Sequence, residues 1–121
     1  QKEKNMYDTN NIFTKIINKE ISCDLILEDD KVIFFRDINP QAKIHILGIP
    51  KAEVVNLSEF VQKCGQEEVY YFFNKVFEVV KKFDLQETGY RLITNEGEDS
   101  NQEVPHFHIH ILGGEKLGNL G

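Results

Sequence analysis

Residues His106 to Ile111, HFHIHI, alternate polar and apolar side chains without a break. Such alternation marks a strand with one face in a core and one face outside it. Successive side chains of a strand point to opposite faces, so His106, His108 and His110 share one face, with Cα atoms about 6.6 Å apart. Phe107, Ile109 and Ile111 take the other face and fill the core, and Gly113–Gly114 ends the strand. The stretch holds three of the chain's four histidines. A fold for this chain therefore has to include a sheet with imidazoles on one surface and packed helices against the other.

The remaining pattern supplies such a sheet. IFTKIINKE places Ile12, Phe13, Ile16 and Ile17 at helical spacing behind Thr9, Asn10 or Asn11 as a cap. DLILEDDKVIFFRD reads as two strands around an acidic turn at Asp29–Asp30, and KIHILGIP as a third strand ending at Pro50. Ser58 can cap a short helix that Gly65 ends. A long helix follows from about Gln66 to Phe83, with Val69, Phe72, Phe73, Val76, Val80 and Phe83 on one stripe. Phe77 and Val79 widen the stripe beyond what one core face needs, which suits a partner surface or full burial of the helix. GYRLITNEG is the fourth strand and HFHIHIL the fifth. The order α-β-β-β-α-α-β-β with hairpin-length joins predicts an α+β fold on a five-stranded, mainly antiparallel sheet.

At 121 residues the chain is one domain long: a polar, flexible tail over residues 1–10 and a single domain over 11–121. No apolar run approaches the ~18 residues of a membrane span, and no signal-peptide pattern opens the chain at Gln1. With 40% hydrophobic and 28% charged residues the composition fits a cytoplasmic globular protein, the nucleus being the alternative. A net charge of −6 argues against a nucleic-acid partner, because an acidic surface gains nothing from counterion release. No membrane partner is expected either. Cys23 and Cys64 have no CxxC or ligand-like spacing; two free thiols are expected, with a single disulfide as the alternative.

Four readings of the histidine strand compete. Three incidental core imidazoles would be costly to bury without partners, whereas exposed ones would cost little and mean little. A metal site has support in the His-x-His spacing, with His45 as a fourth ligand, yet no carboxylate or cysteine follows to complete it. A catalytic cluster accounts for the number of histidines. Neighbouring imidazoles cannot all be cationic, so their titration is coupled. One ring can then stay neutral and attack while a protonated neighbour serves a leaving group or a phosphate charge, with no metal. The preceding loop, NEGEDSNQEVP, has the short residues that let backbone N–H groups approach a phosphate. Its Glu96, Glu98, Asp99 and Glu103 would repel one and are expected to point to solvent, leaving Asn95 and the backbone toward a substrate.

QEVPHFHIHILGG resembles the signature of the histidine-triad (HIT) superfamily, and its trailing Gly-Gly resembles the Hint branch, the histidine-triad nucleotide-binding proteins. IFTKIINKEI, LEDDKVIFFRDINPQAKIHILGIPK and GYRLITNEGED are similar to Hint segments in matching order, so the resemblance covers roughly residues 11 to 115. It implies a HIT-like fold whose sheet continues across a homodimer. It also implies a purine nucleoside phosphoramidase: a metal-independent, cofactor-free hydrolase that cleaves the P–N bond of purine nucleoside 5′-phosphoramidates and acyl-adenylate-like substrates. His108 would attack phosphorus to form a nucleotidyl-histidine, and water would then release the nucleoside monophosphate. His110 would contact phosphate oxygens and support proton transfer, His106 would orient the cluster, and His45 would assist. Asp37 would accept both ribose hydroxyls, and Asn95 would contact the phosphate or leaving-group side, with Asn101 and Glu103 also on the nucleotide. Ile12, Phe13, Ile16, Phe35 and Ile38 would wall the base, although core packing alone also explains such residues.

Two positions depart from the pattern: Glu103 stands where animal Hint proteins carry a serine, and the tail EKLGNLG lacks their tryptophan. Uridylyltransferase-type relatives carry glutamine in place of the third histidine, so His110 favours hydrolysis. Diadenosine-polyphosphate hydrolases usually lack the Gly-Gly ending. The alternatives to a phosphoramidase are such a polyphosphate hydrolase, a purine-nucleotide-binding module or scaffold with little turnover, and a metal-site protein.

Overall fold

The computed structural model describes residues 7–119; the first six residues of the expected tail lie outside them. Helix α1 (Ile12–Ile17) comes first, then strands β1 (Leu25–Glu28), β2 (Val32–Arg36) and β3 (Ile44–Pro50). Helices α2 (Leu57–Lys63), α3 (Gln66–Lys82) and α4 (Leu85–Thr88) follow, and strands β4 (Tyr90–Ile93) and β5 (Ile109–Gly113) complete the chain. The five strands form one sheet in the order β1-β2-β3-β5-β4, and every neighbouring pair is antiparallel. The expected α+β fold on an antiparallel sheet is the one observed.

Alternation along the strands sorts the core into two layers. Val32, Phe34, Ile46, Ile109 and Ile111 face one side, where Phe60, Phe72, Val76, Val79 and Val80 from α2 and α3 cover them. Ile33, Phe35, Leu47 and Ile49 face the other side and pack against Phe13 and Ile16 of α1. The long helices thus occupy one face, and the short α1 leaves part of the other face open. Gly48 lets β3 cross the fully buried Phe34, because a Cβ there would lie 2.2 Å from the Phe34 ring.

Local chemistry explains the element ends and several differences from expectation. Asn11 caps α1 by accepting the Thr14 N–H at 2.9 Å. Asn56, not Ser58, caps α2 by accepting the Glu59 N–H at 2.9 Å. Ser58 instead donates its N–H and O–H to Glu96, which ties the loop after β4 to the start of α2. The four-residue α4, set off by Asp84 in a left-handed conformation at φ 55°, was not expected from the sequence. On α3, Val79 is fully buried whereas Phe77 is 45% exposed, so only Phe77 is surplus to the core. Cys23 and Cys64 are both free thiols. Among the described residues no helix is long and apolar enough to cross a membrane.

Candidate active site

The register of β3 and β5 brings the histidines together. His45 lies opposite Leu112 and His110 opposite Leu47, which makes His45 and His110 diagonal neighbours on one face. Their rings stand 5.2 Å apart, and the His108 and His110 rings 5.1 Å apart. The regular strand begins only at Ile109; His106 precedes it in a bend, where its N–H donates to the Val104 carbonyl at 2.8 Å, and His108 follows outside the regular strand. The alternation survives there: Phe107 stacks with Phe60 in the helix-side core, while His106 and His108 pack edge-on against Phe13 on the opposite side.

His45, His106 and His108 are buried and His110 half-buried, and every ring is partnered. The hydrogen bonds fix the position of each proton. Pro50's carbonyl lies 2.8 Å from His106 Nε2, so that nitrogen carries the hydrogen and Nδ1 accepts one from the Tyr7 hydroxyl. The carbonyl of His106 lies 2.7 Å from His108 Nδ1 and takes its hydrogen. A neutral His108 then has a bare lone pair at Nε2. Gln41 donates its backbone N–H to His45 Nδ1 at 3.0 Å, which places the His45 hydrogen at Nε2. That hydrogen points to His110 Nδ1 at 2.9 Å, so a neutral His110 carries its own at Nε2. No buried side-chain nitrogen or oxygen among the described residues lacks a partner. Among the described residues Nε2 of His108 and Nε2 of His110 have no hydrogen-bond partner, and both rings border open space.

Burial pushes all four histidines below their usual value of 6.5, His106 and His110 to about 4. For His110 the neighbouring His108 and His45 push in the same direction, and Asp37 opposes them. Low polarity around the rings thus leaves the whole cluster neutral at pH 7, and the proton that a neighbour holds for a leaving group has to arrive with the substrate. The site offers a lone pair on His108 beside an N–H on His110. An anion placed between them would favour a proton on His110.

Both rings open into a cavity of about 580 Å³. All nine residues expected to bind a nucleotide line it: Ile12, Phe13, Ile16, Phe35, Asp37, Ile38, Asn95, Asn101 and Glu103. His106 and His45 do not; they stand behind the rings that do. Phe13, Ile16 and Phe35 are at once core and wall, at 3–6% exposure, whereas Ile38 stands 84% exposed at the rim. Asp37 accepts the Asn39 N–H at 2.8 Å through Oδ1, and its Oδ2 lies 3.4 Å from His45 Nε2. Arg36 also borders the cavity, but its guanidinium lies over Phe83 and near Asp24. Charge at phosphorus would thus be met by N–H donors. Of the loop carboxylates, Glu96 is taken up by Ser58, Glu98 and Asp99 are exposed, and Glu103 is exposed at the cavity mouth.

Several lining or supporting residues had not been singled out in the sequence. Leu47 and Cys23 line the cavity, and Leu47 was legible as the position two after His45 on one strand face. Tyr7 and Gln41 hold the rings from outside the histidine motif, Asn11 and Thr14 hold the Tyr7 hydroxyl, and of these only Asn11 is marked in the sequence, as a helix cap.

The group best placed for a metal among the described residues is Asp37, His45 and His110, whose ligand atoms lie within 4.8 Å of one another. Its chemistry does not suit one. The Gln41 N–H aimed at His45 Nδ1 forces the His45 hydrogen onto Nε2, the atom that would have to ligate.

Comparison with known proteins places these features. The sequence pattern described as "HIT domain" matches residues 18–117. An uncharacterized HIT-like protein of Rickettsia prowazekii is 44% identical over 95% of this chain and 96% of its own length. The purine nucleoside phosphoramidase of Escherichia coli K12 is 39% identical over 90% of this chain and 91% of its own. The solved structure of a histidine triad protein from Clostridium difficile superposes with a TM-score of 0.85 at 39% identity, covering 96% of this chain and all of that one.

Proposed function

The chain belongs to the HIT domain family and has its fold, and from that premise we propose that it is a purine nucleoside phosphoramidase. It would hydrolyse the P–N bond of purine nucleoside 5′-phosphoramidates, and the acyl–phosphate bond of acyl-adenylate-like substrates, to a nucleoside monophosphate without a metal or other cofactor. The observation that carries this reading is the His108 lone pair beside the His110 N–H in one cavity.

In this mechanism the nucleoside base lies against Ile12, Phe13, Ile16, Phe35 and Ile38, and Asp37 accepts the ribose hydroxyls. Asp37 keeps acceptor capacity for that task, because a carboxylate offers about four lone-pair sites and one is used by Asn39. Asn95, Asn101 and Glu103 border the phosphate and leaving-group side. Nε2 of His108 attacks phosphorus, and a bond forms between them as the P–N bond breaks. The phosphate's negative charge favours protonation of His110, which gives its proton to the departing nitrogen so that a neutral amine leaves. Water then attacks phosphorus and gives a proton to His110, the His108–P bond breaks, and the monophosphate departs. His45 holds His110, and His106 holds His108 through its backbone carbonyl.

We further read the protein as a homodimer whose sheet runs across the two subunits. Strand β4 is an unpaired edge that exposes Tyr90 and Leu92 at 39% and 40%, and α3 exposes Phe77. The free thiols fit a cytoplasmic location.

Incubation with adenosine 5′-phosphoramidate, with and without a strong chelator and beside His108→Ala, tests the function. Turnover that survives chelator and vanishes in His108→Ala supports it. Loss with chelator contradicts the metal-free mechanism. Tight adenosine monophosphate binding without turnover would assign the protein to the binding-module class.

A further inference from the structure

Tyr7 lies in the segment expected to be a flexible tail, and before residue 18, where the HIT pattern begins. Its hydroxyl nevertheless reaches 99 residues along the chain to His106 Nδ1. The hydroxyl also meets Thr14 Oγ1 at 2.7 Å and accepts from Asn11 Nδ2 at 3.0 Å. Asn11 Nδ2 reaches Thr14 Oγ1 as well, at 3.1 Å, and both residues are buried, at 6% and 9% exposure. The Tyr7 ring packs edge-on to the His106 ring with centroids 5.5 Å apart.

The two nitrogens of His106 have one consistent assignment in this network. Pro50's carbonyl can only accept, so His106 donates to it from Nε2 and needs a donor for Nδ1. Tyr7 is that donor. With both nitrogens of His106 engaged, the ring has a single orientation, and the backbone carbonyl of the same residue is held against His108 Nδ1.

We propose that Tyr7 is a positioning residue of the histidine cluster, donating its hydroxyl hydrogen to His106 Nδ1 and thereby fixing the carbonyl that sets the tautomer of His108. The proposal rests on the reading of His108 as the nucleophile only for its effect on turnover; its structural part stands on the hydrogen bonds alone. Without the hydroxyl, His106 Nδ1 is left buried with no donor, and the ring can turn to offer either nitrogen to Pro50. His108 then divides between a tautomer with its lone pair toward the cavity and one with its hydrogen there.

Tyr7→Phe keeps the aromatic packing and removes only the hydroxyl, and Thr14→Val removes the group that holds that hydroxyl from behind. In Tyr7→Phe, kcat on adenosine 5′-phosphoramidate should fall about tenfold while KM stays within about twofold, the size expected for one lost hydrogen bond. Thr14→Val should move kcat the same way by less. The imidazole ¹⁵N spectrum, recorded without substrate, should show a single His108 tautomer in the unaltered protein and a mixture in Tyr7→Phe. A Tyr7→Phe protein with full kcat and an unchanged His108 tautomer overturns the proposal, and so does a loss of kcat with the tautomer unchanged. If the unaltered protein shows no turnover, the functional reading fails, and the ¹⁵N spectra alone decide the role of Tyr7.

Discussion

The carbonyl oxygen of His106 lies 2.7 Å from Nδ1 of His108. One backbone atom therefore decides which nitrogen of the neighbouring ring is free, and the free one opens into the cavity that the nucleotide-side residues line. The spacing of the motif serves this bond as much as it serves the sheet, since a residue two positions upstream on the same face supplies the acceptor.

Asp37 should set the affinity for the sugar rather than the rate of chemistry. Asp37→Ala is expected to raise KM for an adenosine 5′-phosphoramidate about tenfold or more, with a smaller change in kcat, because hydrogen bonds to a charged acceptor are each worth about 1.5–3 kcal/mol. A 2′-deoxyribose substrate should show a smaller difference between the two proteins. Equal KM values on the ribose substrate would remove the assignment.

Stability should depend on pH through the buried imidazoles. Their folded-state values lie below 6.5, so the unfolded chain takes up protons first as the pH falls. The stabilisation is complete above about pH 6.5 and is lost between there and about pH 4, at up to about 1.4 kcal/mol per pH unit for each such histidine. Urea unfolding at about pH 7.5, 6.5 and 5.5 measures this, all three values lying above the range of ordinary carboxylates. A midpoint that does not drop from about pH 6.5 to pH 5.5 would contradict it.

Gly48→Ala tests the crossing of β3 over Phe34. The new Cβ would sit 2.2 Å from a ring that is fully buried, so the core must shift. A loss of about 1–3 kcal/mol in unfolding free energy is expected. Stability equal to the starting protein would mean that the Phe34 ring moves aside freely.

The dimer reading predicts that Leu92→Asp, a charge on the exposed edge of β4, converts a dimer into a monomer by light scattering at micromolar concentration. The isolated chain stays folded, because Leu92 is 40% exposed within one subunit. A monomeric starting protein would contradict the reading.

Much of this was legible in residue order. The alternation HFHIHI places three imidazoles opposite the helix-side core, and the structure keeps that arrangement even where His106 and His108 leave the regular strand. The nine nucleotide-side residues carried over by resemblance, from Ile12 to Glu103, converge on one cavity although they are spread over most of the chain. What was not legible depended on geometry that no period encodes. Ser58 looked like a helix cap, yet Asn56 lies nearer the true helix start and Ser58 turns to Glu96. Coupled titration was legible from the spacing, but its size was not, because composition does not report burial and desolvation lowers the pKa of all four rings. Tyr7 sits in a polar stretch without pattern, and its partner lies 99 residues away.

The central claim is that Nε2 of His108 becomes bonded to phosphorus. Rapid quenching of the protein with adenosine 5′-phosphoramidate, followed by peptide mass spectrometry, reads this directly. The account predicts an adenylyl group on the peptide containing His108, formed in the presence of chelator and absent from His108→Ala. Turnover with no adduct at any quench time, or an adduct carried by His110 instead, would contradict it.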